Sequence, residues 1–306
     1  MKVFMTGASG WVGRHVLPEF IQGGYEITAL ARSDEAAPRI EAQGGNVVRG
    51  TLEDNDILYN SAKEADAVVH LAYIHDFSIY GGKSAQIDFA AIRSMCSALE
   101  GTNKVFVGTS GITGLNGDQL ESDKASKGPR QEAENVASEY TSKGVKTIMI
   151  RLSPNVHGDG DHGLISFFIK IAKSKGYAAY VGKGENHWSG VHVKDAARLY
   201  RIAIEKSKNN ELPSGENIIL HSAEKNRNGV EFKEIQNVIA KKLNIPLKSL
   251  TDEQEIKDYF GTLTYFASLE VNPSIEYTKK ITGWEPKEIG FLEDLETGHY
   301  FDQFKN

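Results

Sequence analysis

The sequence predicts an α/β fold in which a doubly wound parallel sheet carries a smaller C-terminal lobe. Three observations predict it. Over the first 152 residues, short apolar runs alternate with segments of helical periodicity, the grammar of strands joined by right-handed crossovers. Glycines at positions 7, 10 and 13 punctuate the passage from the first apolar run to the first helical segment. After Arg151 the alternation gives way to a mixed pattern that calls for a second, smaller unit.

The elements follow in order. Lys2–Thr6 reads as a strand, and Gly7-Ala8-Ser9-Gly10-Trp11-Val12-Gly13 as the turn leaving it. Gly7 permits the tight turn, Gly10 lets backbone approach a pyrophosphate, and Gly13 allows close helix–strand packing. The free N–H groups of the following helix suit phosphate oxygens. The amphipathic segment Arg14 to Gly24 and a second strand over Glu26–Ala31 supply the context that such a motif needs, so the opening is a Rossmann-type dinucleotide-binding fingerprint. Pro18 sits inside the first helix, where it removes one hydrogen bond and is expected to bend the axis.

Further strands are expected at Asn46–Arg49, Ala67–Ala72, Lys104–Thr109 and Lys146–Leu152. Residues 1–152 then form the cofactor-binding domain, joined by a later strand near 216–221, and residues 153–306 form most of a substrate-binding lobe. In that lobe helices are expected over Leu164–Lys175, Val193–Lys206, Phe232–Leu243 and Asp252–Phe260, before a tail ending in Phe291–Phe301.

The second strand bears on which dinucleotide binds. NAD-binding folds place an acidic residue there to accept from the ribose hydroxyls. Here the strand ends Ala31-Arg32-Ser33. Arg32 offers a planar donor fork and Ser33 a hydroxyl, both suited to a 2′-phosphate. NADP is therefore expected over NAD, although Asp34 and Glu35 follow at once and can still reach a ribose.

Composition narrows the class. With 40% hydrophobic and 25% charged residues, and a net charge of −6 spread without a basic block, the chain reads as an ordinary globular protein whose partners are small molecules, not nucleic acid or membrane. No apolar run reaches the roughly 20 residues of a membrane span. A strand begins at once, without the pattern of a signal peptide. The single cysteine, Cys96, lies in the periodic segment Ile87–Leu99 and is expected to be packed, which fits a cytoplasmic location.

Several landmarks beyond the glycines resemble the extended short-chain dehydrogenase/reductase superfamily, the NAD-dependent epimerases and dehydratases. Val68-Val69-His70-Leu71-Ala72 looks like the strand passing beside the cofactor, and Arg151-Leu152-Ser153-Pro154-Asn155-Val156-His157-Gly158 like the strand before the nicotinamide-side loop. Val191-His192-Val193-Lys194-Asp195-Ala196-Ala197 and Gly283-Trp284-Glu285-Pro286 match later elements of that superfamily. The resemblance implies a cofactor resting on Gly7, Ser9, Gly10, Trp11, Val12, Gly13, Arg32, Ser33, Thr51, Leu52, Leu71, Ala72, Tyr73, Thr109, Arg130, Pro154 and Val156. It implies no metal: Asp159, Asp161 and His162 match no ligand spacing.

The catalytic positions depart from the superfamily. Its members carry a Ser or Thr after the fifth strand and a Tyr-x-x-x-Lys pair on the next helix, the lysine holding the nicotinamide ribose while the phenol exchanges a proton with substrate. Gly108-Thr109-Ser110-Gly111 supplies the first part, with Ser110 expected to polarise a carbonyl. Counting back from Glu134 puts the pair on Ser126 and Arg130, an atypical Ser-x-x-x-Arg arrangement. Arg130 can donate to ribose hydroxyls but cannot act as an acid.

Tyr73-Ile74-His75-Asp76 follows the fourth strand at the carboxyl edge of the sheet, where ligands of open α/β sheets bind. His75, its pKa raised by Asp76, and Tyr73, as a displaced phenol, are both candidate proton donors. Thr51 offers a hydroxyl at the adenine end. His157 and His187 are pocket candidates, and His192 a packing histidine.

The leading expectation is an NADP-dependent reductase of a small-molecule ketone or aldehyde. A non-catalytic NADP(H)-binding sensor or regulator is the alternative from another class, and a nucleotide-sugar epimerase or dehydratase is the second enzymatic one. Helices over Ile87–Leu99 and Gln131–Tyr140 leave monomer and homodimer both open.

Overall fold

The computed structural model describes residues 1–75, 82–113, 115, 119–124, 128–224 and 229–304. In chain order the first half runs β1 (Lys2–Thr6), α1 (Gly13–Gln22), β2 (Glu26–Ala31), α2 (Ala36–Glu41), β3 (Asn46–Arg49), α3 (Asn55–Glu64), β4 (Ala67–His70), α4 (Lys83–Ala98), β5 (Val105–Gly111), α5 (Pro129–Ser138) and β6 (Lys146–Leu152). The second half runs β7 (Asn155–His157), α6 (Leu164–Lys175), β8 (Ala178–Val181), β9 (His187–Trp188), β10 (Gly190–His192), α7 (Val193–Lys208), β11 (Ile218–Ser222), β12 (Val230–Glu231), α8 (Phe232–Leu243), β13 (Leu247–Leu250), α9 (Glu253–Phe260), α10 (Thr264–Ala267), α11 (Glu276–Thr282) and α12 (Phe291–Thr297).

Seven strands form one parallel sheet in the order β11-β6-β5-β4-β1-β2-β3. The strand order reverses between β1 and β4, and the crevice at such a switch point is where this architecture takes ligands. Strand alternation sorts the core. Val3, Met5, Val105 and Val107 face α1 and α7, packing on Val16, Leu17, Phe20, Leu199 and Tyr200. Phe4, Val68 and Phe106 face α3, α4 and α5, packing on Leu58, Ile92, Met95 and Ala133. Cys96 is buried in that second layer, and burial raises its thiol pKa.

The fourth strand is shorter than expected. It ends at His70 because Leu71 and Ala72 leave the β5 ladder and bend under the glycine turn, where the Leu71 N–H donates to the Thr6 carbonyl (3.2 Å) and the Ala72 N–H to Thr6 Oγ1 (3.3 Å). The fifth starts one residue later than expected and runs two further, to Gly111. Pro18 does not interrupt α1: the Arg14 carbonyl, which proline cannot bond, accepts from Gln43 Nε2 at 3.1 Å.

The smaller lobe surrounds a ring cluster of Phe168, Trp188, Phe232 and Phe260, with centroids 5.2–6.3 Å apart. The last segment returns to the first domain. Trp284 donates its indole N–H to the Asp195 carbonyl (2.9 Å), and the Asp195 carboxylate accepts from the Lys287 and Glu288 amides. The final helix, α12, stops at Thr297, and a 3-10 turn over His299–Phe304 follows. Among the described residues no helix is long and apolar enough to cross a membrane.

Candidate active site

The turn after β1 has no room for side chains. Gly7 has φ +76°, and a Cβ there would stand 2.6 Å from the Ala72 amide nitrogen. One on Gly13 would stand 2.0 Å from the Gly7 carbonyl oxygen. The Gly10 N–H closes the turn onto that same carbonyl at 3.0 Å. Bare backbone therefore meets the N-terminus of α1 at the switch point, with Ser9, Gly10 and Val12 lining solvent. This cradle fits a dinucleotide pyrophosphate. Trp11 turns its ring away from the turn, donating its indole N–H to the Val156 carbonyl (2.7 Å) with the Arg14 guanidinium 4.4 Å above the ring. It thereby ties the glycine turn to β7, the strand after Pro154.

At the tip of β2, Arg32 and Ser33 are exposed. A second arginine, which the sequence reading left unassigned, joins them: Arg49 pairs with Asp34 at 2.8 Å and donates to the Ser33 carbonyl at 2.5 Å. Thr51 does not hold a free hydroxyl toward adenine. Its amide and hydroxyl both donate to Asp54 Oδ2 (2.6 and 2.8 Å), which lowers the Asp54 pKa. Leu52 is buried, forming with Ile87 and Ala90 the apolar side of a shallow cleft that Glu53 and Lys83 border.

The carboxyl edge beside β4 gathers residues from β1, β4, β5, α4, α5 and α7 and from the loop after β4. Arg130, at the start of α5, donates to the Thr109 carbonyl (2.6 Å), pairs with Asp88 of α4 (3.4 Å) and lays its guanidinium 4.2 Å from the Tyr73 ring centroid. Tyr73 Oη stands 3.4 Å from Ser84 Oγ, and its ring meets that of His75 edge-on at 5.2 Å. Beneath them His70, 2% exposed, joins Thr6 Oγ1 (2.7 Å) to Asp88 Oδ1 (3.0 Å). The Asp88 carboxylate can only accept, so His70 Nε2–H donates to it, and in the neutral tautomer this fixes, Nδ1 accepts the Thr6 hydroxyl proton. Thr109 Oγ1 donates to the His70 carbonyl and accepts from Tyr200, both at 2.8 Å. Burial raises the Tyr200 phenol pKa.

Two sequence expectations change here. The pKa of His75 is lowered, not raised: desolvation and the Arg130 charge disfavour its imidazolium. Asp76, invoked to raise it, lies outside the described residues, as does Ser126. Ser110 is 3% exposed and donates its hydroxyl proton to Glu134 Oε1 at 2.5 Å. Strand alternation turns it toward α5, where Glu134 also holds Arg151 through two bonds of 2.8 Å and Arg151 reaches His221 at 3.2 Å. In this arrangement Ser110 fastens α5 to β5. Proximity to Arg151 and burial lower the His221 pKa to about 3, with burial the larger cause.

The remaining histidines lie in the lobe. His157 is bonded to Asp294 (2.9 Å) and Glu224 (3.1 Å), His192 caps α7 by accepting from the Lys194 amide, and His187 pairs with Glu270 at 3.0 Å. Asp161 accepts from Tyr300 and the Gly163 amide. Among the described residues no group of three or more His, Cys, Asp or Glu side chains is placed to hold a metal ion. Asp88 was legible only as a carboxylate on the largely apolar inward stripe of α4, and Arg49 only as the residue ending β3.

A parallel doubly wound sheet with a glycine cradle at its switch point, flanked by a phenol and a guanidinium, defines an oxidoreductase of the short-chain dehydrogenase/reductase type. The chain belongs to the NAD dependent epimerase/dehydratase family, whose sequence model matches residues 3–218. Along 98% of its length it is 38% identical to an uncharacterized protein of Saccharomyces cerevisiae, of which it covers 99%. It is 27% identical over 233 residues to the sterol-4-alpha-carboxylate 3-dehydrogenase, decarboxylating, of Dictyostelium discoideum, which covers 69% of this chain and 70% of that one. Among solved structures, the UDP-glucose 4-epimerase of Thermotoga maritima superposes with a TM-score of 0.73 at 17% identity, covering 99% of each chain. MoeE5, solved with UDP-glucuronic acid and NAD, superposes with a TM-score of 0.71 at 17% identity and covers 100% of each.

Proposed function

We propose that the protein is an NADPH-dependent carbonyl reductase acting on a ketone or aldehyde of a small molecule. The observation that carries this reading is the Tyr73 ring lying on the Arg130 guanidinium at the carboxyl edge of the sheet. It rebuilds from one loop and the start of α5 the phenol–cation pair that relatives carry on one helix. When bound, the reduced nicotinamide supplies the hydride that reduces the carbonyl carbon.

The chain's own residues supply the rest. Arg130, always charged, favours developing negative charge on the Tyr73 oxygen and has donors for ribose hydroxyls. Tyr73 gives its proton to the carbonyl oxygen as the new C–H bond forms, and solvent returns that proton past the neutral His75 ring, 5.2 Å away. Arg32 and Ser33 favour the 2′-phosphate of NADPH over the bare ribose of NADH. Named relatives include a 2-alkyl-3-oxoalkanoate reductase of Stenotrophomonas maltophilia, consistent with a ketone substrate. We place the protein in the cytoplasm, as a monomer or homodimer, with no nucleic acid or membrane partner.

Incubation of a ketone and aldehyde panel with NADPH carrying deuterium at both C4 positions tests the reading. An alcohol product one mass unit heavier than that formed with unlabelled NADPH is expected, and the absence of deuterated alcohol from every carbonyl would contradict it. One observation favours a second reading, a non-catalytic NADP(H)-binding regulator: the Ser110 proton is already committed to Glu134. Cofactor binding without turnover would support that reading.

A further inference from the structure

We propose that Arg49 is a specificity-determining residue for the cofactor, acting by neutralising Asp34 beside the ribose site. The inference rests on the NADP reading above.

The β2–β3 ladder places Arg49 opposite Ala31, one residue before Arg32. Its guanidinium reaches across the tip of β2, with one arm on the Ser33 carbonyl and the other on Asp34 Oδ1 at 2.8 Å. The pair is open to solvent, the Arg49 side chain being 50% exposed and that of Asp34 fully so. Nothing in the packing of the core requires it.

The chemistry of the loop gives it a purpose. Asp34 and Glu35 directly follow the two groups that suit a 2′-phosphate. A free carboxylate at that point accepts from ribose hydroxyls and repels a phosphate dianion, which selects NAD. Arg49 draws the Asp34 carboxylate onto its own fork and brings a second positive charge beside Arg32. The sign of the field at the ribose 2′ position is thus set by Arg32 and Arg49 together against Asp34 and Glu35. Because the groups are exposed, salt screens the effect within about 10 Å at 0.1 M ionic strength.

Binding of 2′,5′-ADP and 5′-AMP to the full chain, measured calorimetrically at low salt, tests this without reference to turnover. Wild type is expected to prefer 2′,5′-ADP. Arg49→Gln should weaken 2′,5′-ADP by about three- to fivefold, the upper scale of an exposed ion pair, while 5′-AMP changes less than about twofold. In the Asp34→Asn background the same substitution should cost distinctly less, because the charge that Arg49 neutralises is gone. Equal weakening of both ligands, or an unchanged preference in Arg49→Gln, would overturn the proposal. A wild type that fails to distinguish the two ligands would instead overturn the NADP reading on which it rests.

Discussion

The guanidinium carbon of Arg130 lies 4.2 Å from the centre of the Tyr73 ring, although 57 positions of sequence separate them (130 − 73). Arg130 is fixed from two other sides by the Thr109 carbonyl and the Asp88 carboxylate. The phenol therefore meets a cation whose position is set by β5 and α4, not by its own loop.

Tyr73→Phe removes the proposed proton donor and keeps the ring on Arg130. Turnover should fall by about a hundredfold or more, the scale of a lost general acid, with NADPH affinity unchanged. His75→Ala should cost less than about tenfold, since a histidine whose pKa is lowered holds little acid at neutral pH. Steady-state kinetics of the two variants against wild type rank the donors. A larger loss in His75→Ala would reverse the assignment.

Ser110→Ala probes the group that sequence reading placed on the carbonyl. Its hydroxyl proton goes to Glu134 in a buried site, so the substitution should lower stability by about 1–2 kcal/mol and turnover by less than about tenfold. Glu134→Ala is a different case. It strands the buried Arg151 charge, and a loss of about 3–5 kcal/mol is expected. Denaturant titration measures both.

Asp88→Asn keeps the shape of the carboxylate and removes its charge. Arg130 then loses one of its two anchors, and the His70 Nε2–H a charged acceptor. Turnover should drop more than thermal stability, because the Thr109 carbonyl and the Tyr73 ring still hold the guanidinium loosely. A variant that unfolds readily while keeping its turnover per folded molecule would make Asp88 purely structural.

The His157 clamp predicts a pH dependence of stability. Burial disfavours its imidazolium, but the hydrogen bonds to Asp294 and Glu224 prevail and raise its pKa, with His192 5.3 Å away as the other titratable neighbour. A raised folded pKa contributes stability that is complete below the unfolded value of about 6.5 and lost as pH rises through the folded one. The wild-type thermal midpoint should decline across that window. His157→Gln should flatten the decline, as followed by scanning calorimetry.

Much of the fold was legible because its signals are local. The strands Lys2–Thr6, Glu26–Ala31, Asn46–Arg49 and Lys146–Leu152 occupy the residues expected of them, since each has a short apolar centre rich in β-branched or other strand-forming residues and is bounded by polar or turn residues. Short pairings such as β9 with β12 were invisible: two residues carry no periodicity, and their partner is 43 positions away (230 − 187). The Ser110 orientation turned on strand alternation, which a motif match ignores. The Tyr73–Arg130 contact depends on how the loop after β4 meets the first turn of α5 at the sheet edge, and no local pattern encodes that. Arg49 and Asp88 were hidden for a related reason, each owing its role to a partner on a neighbouring element.

The most direct test of the central claim is the loss of near-ultraviolet NADPH absorbance in the presence of a panel of aromatic and aliphatic ketones and aldehydes, with NADH run alongside and Tyr73→Phe as the paired control. The account predicts carbonyl-dependent oxidation that prefers NADPH and is nearly abolished in the variant. Measured NADPH binding with no oxidation by any carbonyl, or oxidation undiminished in Tyr73→Phe, would contradict it.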